Sequence, residues 1–391
     1  MNWPTVELRR LVTCLDGRRV PLNSGERAEM KGNIPYWGAG GVLDFLNQSI
    51  FDEPLVLLKE DGSPFFIPEK GVAYYVEGPT WVNNHIHALR SVNADGRFLA
   101  YALNCVDYSK YLTGSTRDKL TQEDLKRIVV CNPPLEEQRR IADYLDAETG
   151  KMDAMLRARS RMYELLDERI EHQILAVIGR SRLGDRIAGD PVLAMRWLLN
   201  KRMRPTSDSS EVITAFRDGQ VTARSLRRAE GYTNSVSSAP QGQAVRIDDV
   251  VVHGLDGFAG AIGTSEAEGN CSPVYHVLTP KWEGDALYYG RMLRTLALQE
   301  YLTGFSFSTR ERAFDFRNWD MFGRIPIPVA SFSEQRHIGE QIRTVRPLRD
   351  KFEKFGKLLT ERRQYLITAA VTGQFDVSTA GRSVTDGVSI S

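Results

Sequence analysis

A four-residue motif that occurs twice in the chain decides its architecture: Tyr-Leu-Thr-Gly at residues 111–114 returns unchanged at residues 301–304. Other matches flank it in the same order, and their offset rises slowly, from 187 residues (4 to 191) to 197 residues (137 to 334). The flanking matches are Pro4 with Pro191, Arg9 with Arg196, His87 with His276, Ser-Thr-Arg at 115–117 with 308–310, and Glu-Gln-Arg at 137–139 with 334–336. A period near half of the 391 residues is too long for a solenoid and predicts a duplicated unit, a domain followed by a helix.

Each copy shows the same internal order. Runs rich in β-branched and aromatic residues come first, at 72–76 in the first copy and at 250–252 and 275–278 in the second, and they predict strands. A proline-marked segment follows, Asn-Pro-Pro at 132–134 and Ile-Pro-Ile-Pro at 325–328. A long helical pattern then begins in each copy, predicted over about 136–178 and about 334–372.

Both helical patterns carry one apolar face. A first helix of some 43 residues would be about 65 Å long, too long to lie inside one ordinary domain. The helices are either solvated spacers or, as we favour, bury their apolar stripes against each other in a coiled coil. Pro347 lacks an amide donor and is expected to kink or break the second helix. The residues predicted to pack between the helices are Ile141, Leu145, Leu156, Leu166, Ile342, Leu359 and Leu366.

Composition excludes several classes of protein. With 51 Lys+Arg against 50 Asp+Glu, the net charge of +1 excludes a uniformly basic DNA-coating protein, although one face can still be basic. The four cysteines form no Cys-x-x-Cys pair, which argues against a zinc ribbon or a disulfide scaffold and favours the reducing cytoplasm. The longest apolar runs are far too short to cross a bilayer, so we expect no membrane association.

No motif predicts catalysis or metal binding. Asn-Pro-Pro-Leu at 132–135 looks at first like the motif of adenine methyltransferases, but leucine cannot stack on a flipped base as the aromatic residue there does. Gly-Ala-Gly-Gly at 38–41 lacks the spacing of a phosphate-binding loop. His85 and His87 have no evident third ligand, and Lys-Glu-Asp at 59–61 lacks the upstream carboxylate of a metal nuclease.

The paired loops point instead to DNA. Gly-Ser-Thr-Arg-Asp-Lys at 114–119 and Ser-Thr-Arg-Glu-Arg at 308–312 combine hydroxyl and guanidinium groups, which anchor phosphates and read guanine. Residues 196–228 hold eight Lys/Arg against three Asp/Glu, a net of +5 that suits either a phosphate-binding or a merely solvated face. His87, which matches His276, is expected to be either structural or DNA-facing. The predicted DNA-binding residues are Asn84, His87, Ser115, Thr116, Arg117, Lys119, Lys201, Arg202, Arg224, Ser308, Thr309, Arg310 and Arg312.

Over almost its whole length the sequence resembles the specificity subunits of Type I restriction-modification systems. The motifs that carry the resemblance are the loop at 114–117, the Pro-Pro-Leu-Glu-Glu-Gln-Arg-Arg-Ile segment at 133–141, the distal helix end at 361–374, and shorter pieces at 38–41, 60–62, 83–85 and 272–275. The chain departs from the family pattern by Phe-Ser-Phe inserted at 305–307, by a looser distal exit at 326–334 and by Pro347.

The resemblance implies an α/β (α+β) fold with two pseudo-symmetric target-recognition domains, separated by two long helices that pack as an antiparallel coiled coil. It places the first domain at 1–134, the central spacer helix at 135–183, the second domain at 184–329, the distal helix at 330–376 and a tail, expected to be disordered, at 377–391. Such helices would relate the two domains by an approximate twofold axis, which suits two half-sites on opposite DNA strands.

The resemblance also implies the function. Each domain would read one half of a split double-stranded DNA target, and the helices would act as a ruler for the unread gap. Two methyltransferase subunits would supply S-adenosylmethionine chemistry, and motor-nuclease subunits, using ATP and Mg²⁺, would join for restriction. The chain itself would bind no cofactor and catalyse nothing. Two alternatives stay open: a specificity subunit for a fused Type II nuclease-methyltransferase, and a single-chain DNA methyltransferase.

Overall fold

The computed structural model describes residues 3–61, 65, 71–112, 118–181, 191–209, 211–227, 242–305 and 315–377. The chain divides into two compact units. Unit 1 consists of residues 1–158 and 353–391, and unit 2 consists of residues 159–352. Each unit holds one copy of the repeat together with part of both long helices. The finer domain boundaries expected from the sequence stay predictions.

Unit 1 is built on a four-stranded antiparallel sheet in the order β2-β9-β6-β7, beside a second sheet in the order β4-β3-β8-β5. The short strands β1 and β10 pair separately and close the domain next to the long helix. The strands are β1 Thr5–Glu7, β2 Val12–Cys14, β3 Lys31–Gly38, β4 Gly41–Leu46, β5 Phe51–Asp52, β6 Leu55–Lys59, β7 Ala73–Val76, β8 Pro79–Val82, β9 Ile86–Ser91 and β10 Val129–Cys131. The helices that begin in this copy are α1 Ser24–Glu29, α2 Gly96–Leu103, α3 Gln122–Arg127 and α4 Leu135–Arg180.

Unit 2 repeats the main sheet strand for strand, in the order β12-β19-β16-β17, again antiparallel throughout. The strands are β11 Val192–Ala194, β12 Leu199–Arg202, β13 Ile213–Ala215, β14 Val221–Ala223, β15 Gln243–Val245, β16 Val250–His253, β17 Ile262–Thr264, β18 Gly269–Cys271, β19 Tyr275–Pro280 and β20 Pro326–Pro328. The helices are α5 Met195–Leu198, α6 Ala286–Leu298, α7 Trp319–Phe322 and α8 Phe332–Val371. Because β2, β6, β7 and β9 correspond to β12, β16, β17 and β19, the predicted duplication is confirmed.

The repeated Glu-Gln-Arg motif joins each domain to its long helix. In unit 1 the buried Gln138 accepts a hydrogen bond from the amide of Asp95, the N-cap of α2, at 2.9 Å and donates to the carbonyl of Pro133 at 2.8 Å. In unit 2 Gln335 accepts from the amide of Asp285, the N-cap of α6, at 3.3 Å and donates to Ala330 at 2.8 Å. A buried backbone group needs a partner, so one glutamine satisfies both ends of the junction.

Both long helices form as predicted, within two residues at every end. Of the two effects expected of Pro347, the break does not occur, since α8 runs without interruption through that position over 40 residues. The kink stays a prediction. Pro347 cannot donate to the carbonyl of Arg343. Both residues lie on the exposed side of α8, where water can satisfy that carbonyl, and the helix therefore tolerates the proline.

Within each unit the two helices pack antiparallel. In unit 1 the rings of Tyr144 and Phe375 are 5.6 Å apart, and Asp153 pairs with Arg363 at 2.5 Å. In unit 2 the rings of Tyr163 and Phe352 are 6.3 Å apart, and Arg180 pairs with Glu334 at 2.6 Å. In both units, residues farther along α4 face residues with lower numbers on the second helix segment, which is the antiparallel order.

The predicted packing residues are not equally buried. Ile141, Leu145 and Leu359 are buried, whereas the four others are half-buried: Leu156, Leu166, Ile342 and Leu366. Ile141 and Leu145 also join the core of the adjoining domain, so a third element covers them. The half-buried residues show that a two-helix contact alone leaves part of each stripe open to water. In the part of the chain that the structure describes, every helix is too short or too polar to cross a lipid bilayer.

Candidate nucleic-acid interface

The structure describes the residues that flank the two predicted DNA-reading loops, but not the loops themselves. Residues 113–117 and 306–314 lie outside the described part of the chain, and with them Ser115, Thr116, Arg117, Ser308, Thr309, Arg310 and Arg312. The residues on both sides of each loop are described, and they are held in the same way in the two units.

A tyrosine fixes the point where each loop leaves the domain. In unit 1 the Tyr111 hydroxyl accepts a hydrogen bond from the amide of Val129 on β10 at 3.3 Å. In unit 2 the Tyr301 hydroxyl donates to the carbonyl of Pro326, the equivalent residue of β20, at 2.8 Å. Proline has no amide hydrogen, so the tyrosine hydroxyl of unit 2 donates to the proline carbonyl instead of accepting from an amide. The tyrosine thus contacts the equivalent residue of the strand in both units.

A histidine fixes the point where each loop returns. The Nε2 atom of His87, on β9, lies 3.0 Å from the carbonyl oxygen of Leu120. The Nε2 atom of His276, on the equivalent strand β19, lies 2.6 Å from the carbonyl oxygen of Phe316. Both histidines are buried, with exposed fractions of 0% and 2%. The two histidines that the repeat aligns therefore perform the same contact.

His87, which was predicted to be among the DNA-binding residues, is buried inside the domain. Its Nδ1 atom lies 2.6 Å from the Asp16 carboxylate, so both ring nitrogens already have protein partners. No part of the side chain reaches the surface. Of the two alternatives that the sequence left open, the structure places His87 as a buried structural residue next to the loop.

Asp16 is the centre of a polar cluster around the returning strand of the first loop. Besides His87, its carboxylate accepts from the amide of Ala88 at 3.0 Å and from Nε2 of Gln122 at 2.9 Å. Arg19 lies 3.3 Å from the same carboxylate and 2.7 Å from the Glu60 carboxylate. Burial acts to raise the pKa of Asp16, but the hydrogen bond and charge of His87, the Ala88 amide and Arg19 together lower it to about 2.

The cluster also contains a set of atoms that could hold a metal ion. The ligand atoms of Asp16, Glu60 and His87 lie within 4.8 Å of one another. Arg19 already places its guanidinium between the two carboxylates, and a metal ion would have to displace that charge. The arrangement is therefore a closed ion-pair network whose cation is a side chain.

Lowering the pH should weaken unit 1 through Asp16. Because the folded-state pKa of about 2 lies below the ordinary value, the stabilisation is complete above about pH 5 and is lost as the pH falls toward 2. We expect this carboxylate alone to cost about 1 kcal/mol of unfolding free energy by pH 3 and about 2 kcal/mol by pH 2. Urea unfolding at pH 6 and at pH 3 measures this loss of unfolding free energy. Asp16→Asn is the control, because asparagine has no carboxylate to titrate. An equal acid loss in both proteins would contradict the prediction.

The remaining described candidates form two groups, one in each unit. In unit 1, Lys119 pairs with Glu60 at 3.3 Å, and Arg19 donates both to Glu60 and, at 3.3 Å, to the carbonyl of the exposed Asn84. Asn84 and Lys119 are thus brought together beside the first loop. Arg19 and Asp16 were missed because no local pattern marks them.

In unit 2, Lys201 and Arg202 lie on the edge strand β12, in register with Leu278 and Val277 of β19, the strand that carries His276. Arg202 is exposed and donates to the Thr279 hydroxyl at 2.8 Å. Arg224 follows β14 and donates to Thr214 at 3.4 Å, away from that strand. The structure therefore groups Lys201 and Arg202 but does not bring Arg224 to them through any described contact.

The N-terminal part of the chain is similar to proteins of a known family. Residues 1–155 match the model of the Type I restriction modification DNA specificity domain. A putative type I restriction enzyme specificity subunit, S.HindORF215P of Haemophilus influenzae, is 31% identical over 151 residues, which are 38% of this chain and 38% of that protein. The matched region thus spans well under half of the curated relative.

Solved structures resemble the chain over nearly its whole length. A Type I restriction-modification S subunit from M. genitalium has a TM-score of 0.56 at 15% identity and covers 95% of this chain and 96% of its own. A chain from a structure on complex assembly and conformational transition of the type I R-M system has a TM-score of 0.57 at 14% identity, covering 96% and 98%. At these identities the likeness shows the fold. Residues 1–155 therefore match the DNA specificity domain of Type I restriction-modification systems, and the chain shares the fold of these two solved proteins.

Proposed function

We propose that this chain is a sequence-specific DNA-binding subunit that reads a bipartite target, one half-site with each unit. The observation that carries the proposal is the repeated support of the two loops. In both units a tyrosine at the start and a buried histidine at the end hold a loop whose sequence contains Ser-Thr-Arg. Hydroxyl and guanidinium groups are those that proteins use to contact phosphates and guanine.

The two long helices set the length of the unread gap in this proposal. Each helix contributes residues to both units. In this proposal the number of helix residues between the units would determine the gap between the half-sites that the two loops read. A helix rises by about 1.5 Å per residue, and one turn of insertion corresponds to nearly two base-pair steps of about 3.4 Å. Gap length would then be encoded in helix length.

The chain directs catalytic partners and is not itself the catalyst. Two methyltransferase subunits that use S-adenosylmethionine would dock on the duplicated units, because two equivalent units offer the same surface twice. Motor-nuclease subunits that use ATP and Mg²⁺ would complete a restriction complex, and no cofactor would belong to this chain. Ultraviolet crosslinking of labelled S-adenosylmethionine to the purified chain tests this directly, and clear labelling would overturn it in favour of a methyltransferase. The neighbouring reading frames distinguish Type I partners from a fused Type II enzyme.

Replacing Arg117 or Arg310 with alanine should weaken target binding by roughly 1–3 kcal/mol, the value of one bidentate base contact. Each substitution should relax the choice of base in its own half-site only. Competition binding by the assembled methyltransferase complex, with targets altered in one half-site at a time, measures both effects. Arg161→Ala is the matched control, since this exposed arginine of α4 pairs only with the helix residues Glu164 and Glu168 among its described contacts. Unchanged binding in both loop variants would show that the loops are not the readers.

A further inference from the structure

We propose that His87 and His276 are positioning residues for DNA reading: each fixes the returning end of one recognition loop by the same hydrogen bond to a backbone carbonyl. The inference rests on the proposed function, since it takes the loops at 113–117 and 306–314 to be the readers. It goes beyond that function because neither histidine can touch DNA, and each acts only through the loop it holds.

The first argument is the rigidity of the platform. His87 lies on β9, which is hydrogen-bonded to β2 on one side and to β6 on the other. His276 lies on β19, which is hydrogen-bonded to β12 and β16. A strand paired on both sides is the least mobile part of a domain, because opening it breaks many bonds at once. Each loop is therefore tied to one of the two central strands of its sheet.

The second argument is the chemistry of the contact. Leu120 and Phe316 are both buried, with exposed fractions of 0% and 2%, and their carbonyl groups face the imidazole Nε2 atoms. A buried carbonyl without a donor is costly, so the returning chain is favoured in the one position where the histidine reaches it. Together with Tyr111 and Tyr301 at the other ends, the histidines fix both stems of each loop.

The two histidines are themselves held by different means. His87 is oriented by the Asp16 carboxylate at 2.6 Å. Among the described residues, Nδ1 of His276 has no hydrogen-bond partner, and packing orients the ring instead, with the Phe322 ring stacked at 5.6 Å and the Trp319 ring at 5.5 Å. Burial lowers the pKa of His276, which keeps its ring neutral with the proton on Nε2. Substitution of Asp16 should therefore loosen the first loop and leave the second unchanged.

The experiment uses the full chain and two substitutions at each histidine. Leucine removes the donor and keeps much of the volume, whereas glutamine keeps an amide donor. Amide hydrogen exchange is measured at 118–122 and at 315–319. We expect His87→Leu to speed exchange at the first segment by roughly tenfold and to leave the second unchanged, and His276→Leu to do the reverse. The glutamine variants should change exchange less. His172→Leu, at an exposed position of α4, is the control for the substitution itself.

DNA reading is measured on the same proteins, as the ratio of affinities for the full target and for targets altered in one half-site. His87→Leu should lower discrimination at one half-site only, and the other half-site serves as an internal control for folding. If His87→Leu fails to fold, Asp16→Asn takes its place, because it replaces the carboxylate that orients His87 toward the Leu120 carbonyl. Unchanged exchange in every variant overturns the histidine contact. Faster exchange with intact discrimination leaves the contact standing but refutes the loop as reader, and with it the positioning role.

Discussion

Lengthening both long helices by one turn should move the preferred target to one with a longer unread gap. Four helix-favouring residues are inserted after Arg157 in α4 and four after Lys357 in α8. These points lie between the facing pairs Asp153–Arg363 and Tyr163–Phe352, so the contacts on either side are kept. The insertion adds about 6 Å and turns the helix face by only about 40°, so the packing stripe is nearly preserved.

Binding selection with targets of different gap lengths measures the effect. On the original gap the variant can engage only one half-site at a time, and since each of the several lost base pairs costs about 1–3 kcal/mol, we expect binding there to be weaker by at least about a hundredfold. A target whose gap is two base pairs longer should restore the original affinity. Insertion in α4 alone is the control, because it moves the later facing pairs out of register by about 6 Å and should destabilise the protein. A folded double-insertion variant that still requires the original gap would show that the helices are not the ruler.

Truncation of leucines along the helices should destabilise unit 1 in proportion to their burial. Leu145→Ala should cost about 3–5 kcal/mol, because this side chain is 0% exposed and lies in the core that the domain shares with α4. Leu359→Ala should cost only about 2–3 kcal/mol. Leu359 is 7% exposed and borders a cavity of about 770 Å³, into which water and neighbouring side chains can move.

Leu358 provides the matched control for Leu359. It is the preceding residue of the same helix but is 63% exposed, so its truncation should change stability by no more than about 0.5 kcal/mol. Chemical denaturation with separate probes in the two units measures all three variants. Equal losses at Leu358 and Leu359 would mean that α4 and α8 do not pack as described in unit 1.

The sequence predicted those parts of the fold that leave a regular or repeated signal. Forty residues of one-sided apolar spacing predict a helix whose ends come within two residues of those observed, and an aligned repeat predicts two sheets of the same strand order. A break at Pro347 did not occur, because the effect of a proline depends on whether the carbonyl of residue 343 is exposed to solvent, which spacing alone does not reveal.

The polar network around the first loop could not be predicted from the sequence. Asp16 and His87 are separated by 71 residues, and His87 and Leu120 by 33, so only the fold brings them together. The repeat did single out His87, His276, Tyr111 and Tyr301, but not what they do. An aligned histidine between two strand signals is equally consistent with a surface that touches DNA and with a buried bond to a carbonyl.

Exchange of one recognition region tests most directly the central claim that each unit reads one half-site. Residues 5–130 are replaced with the equivalent region of a relative of known target, and the methylated or bound sequence is determined for the chimaera in its assembled complex. The predicted result is a target in which one half-site is new while the other half-site and the gap are unchanged. A chimaera that alters both half-sites would contradict the account, because the two units would then form a single reading surface.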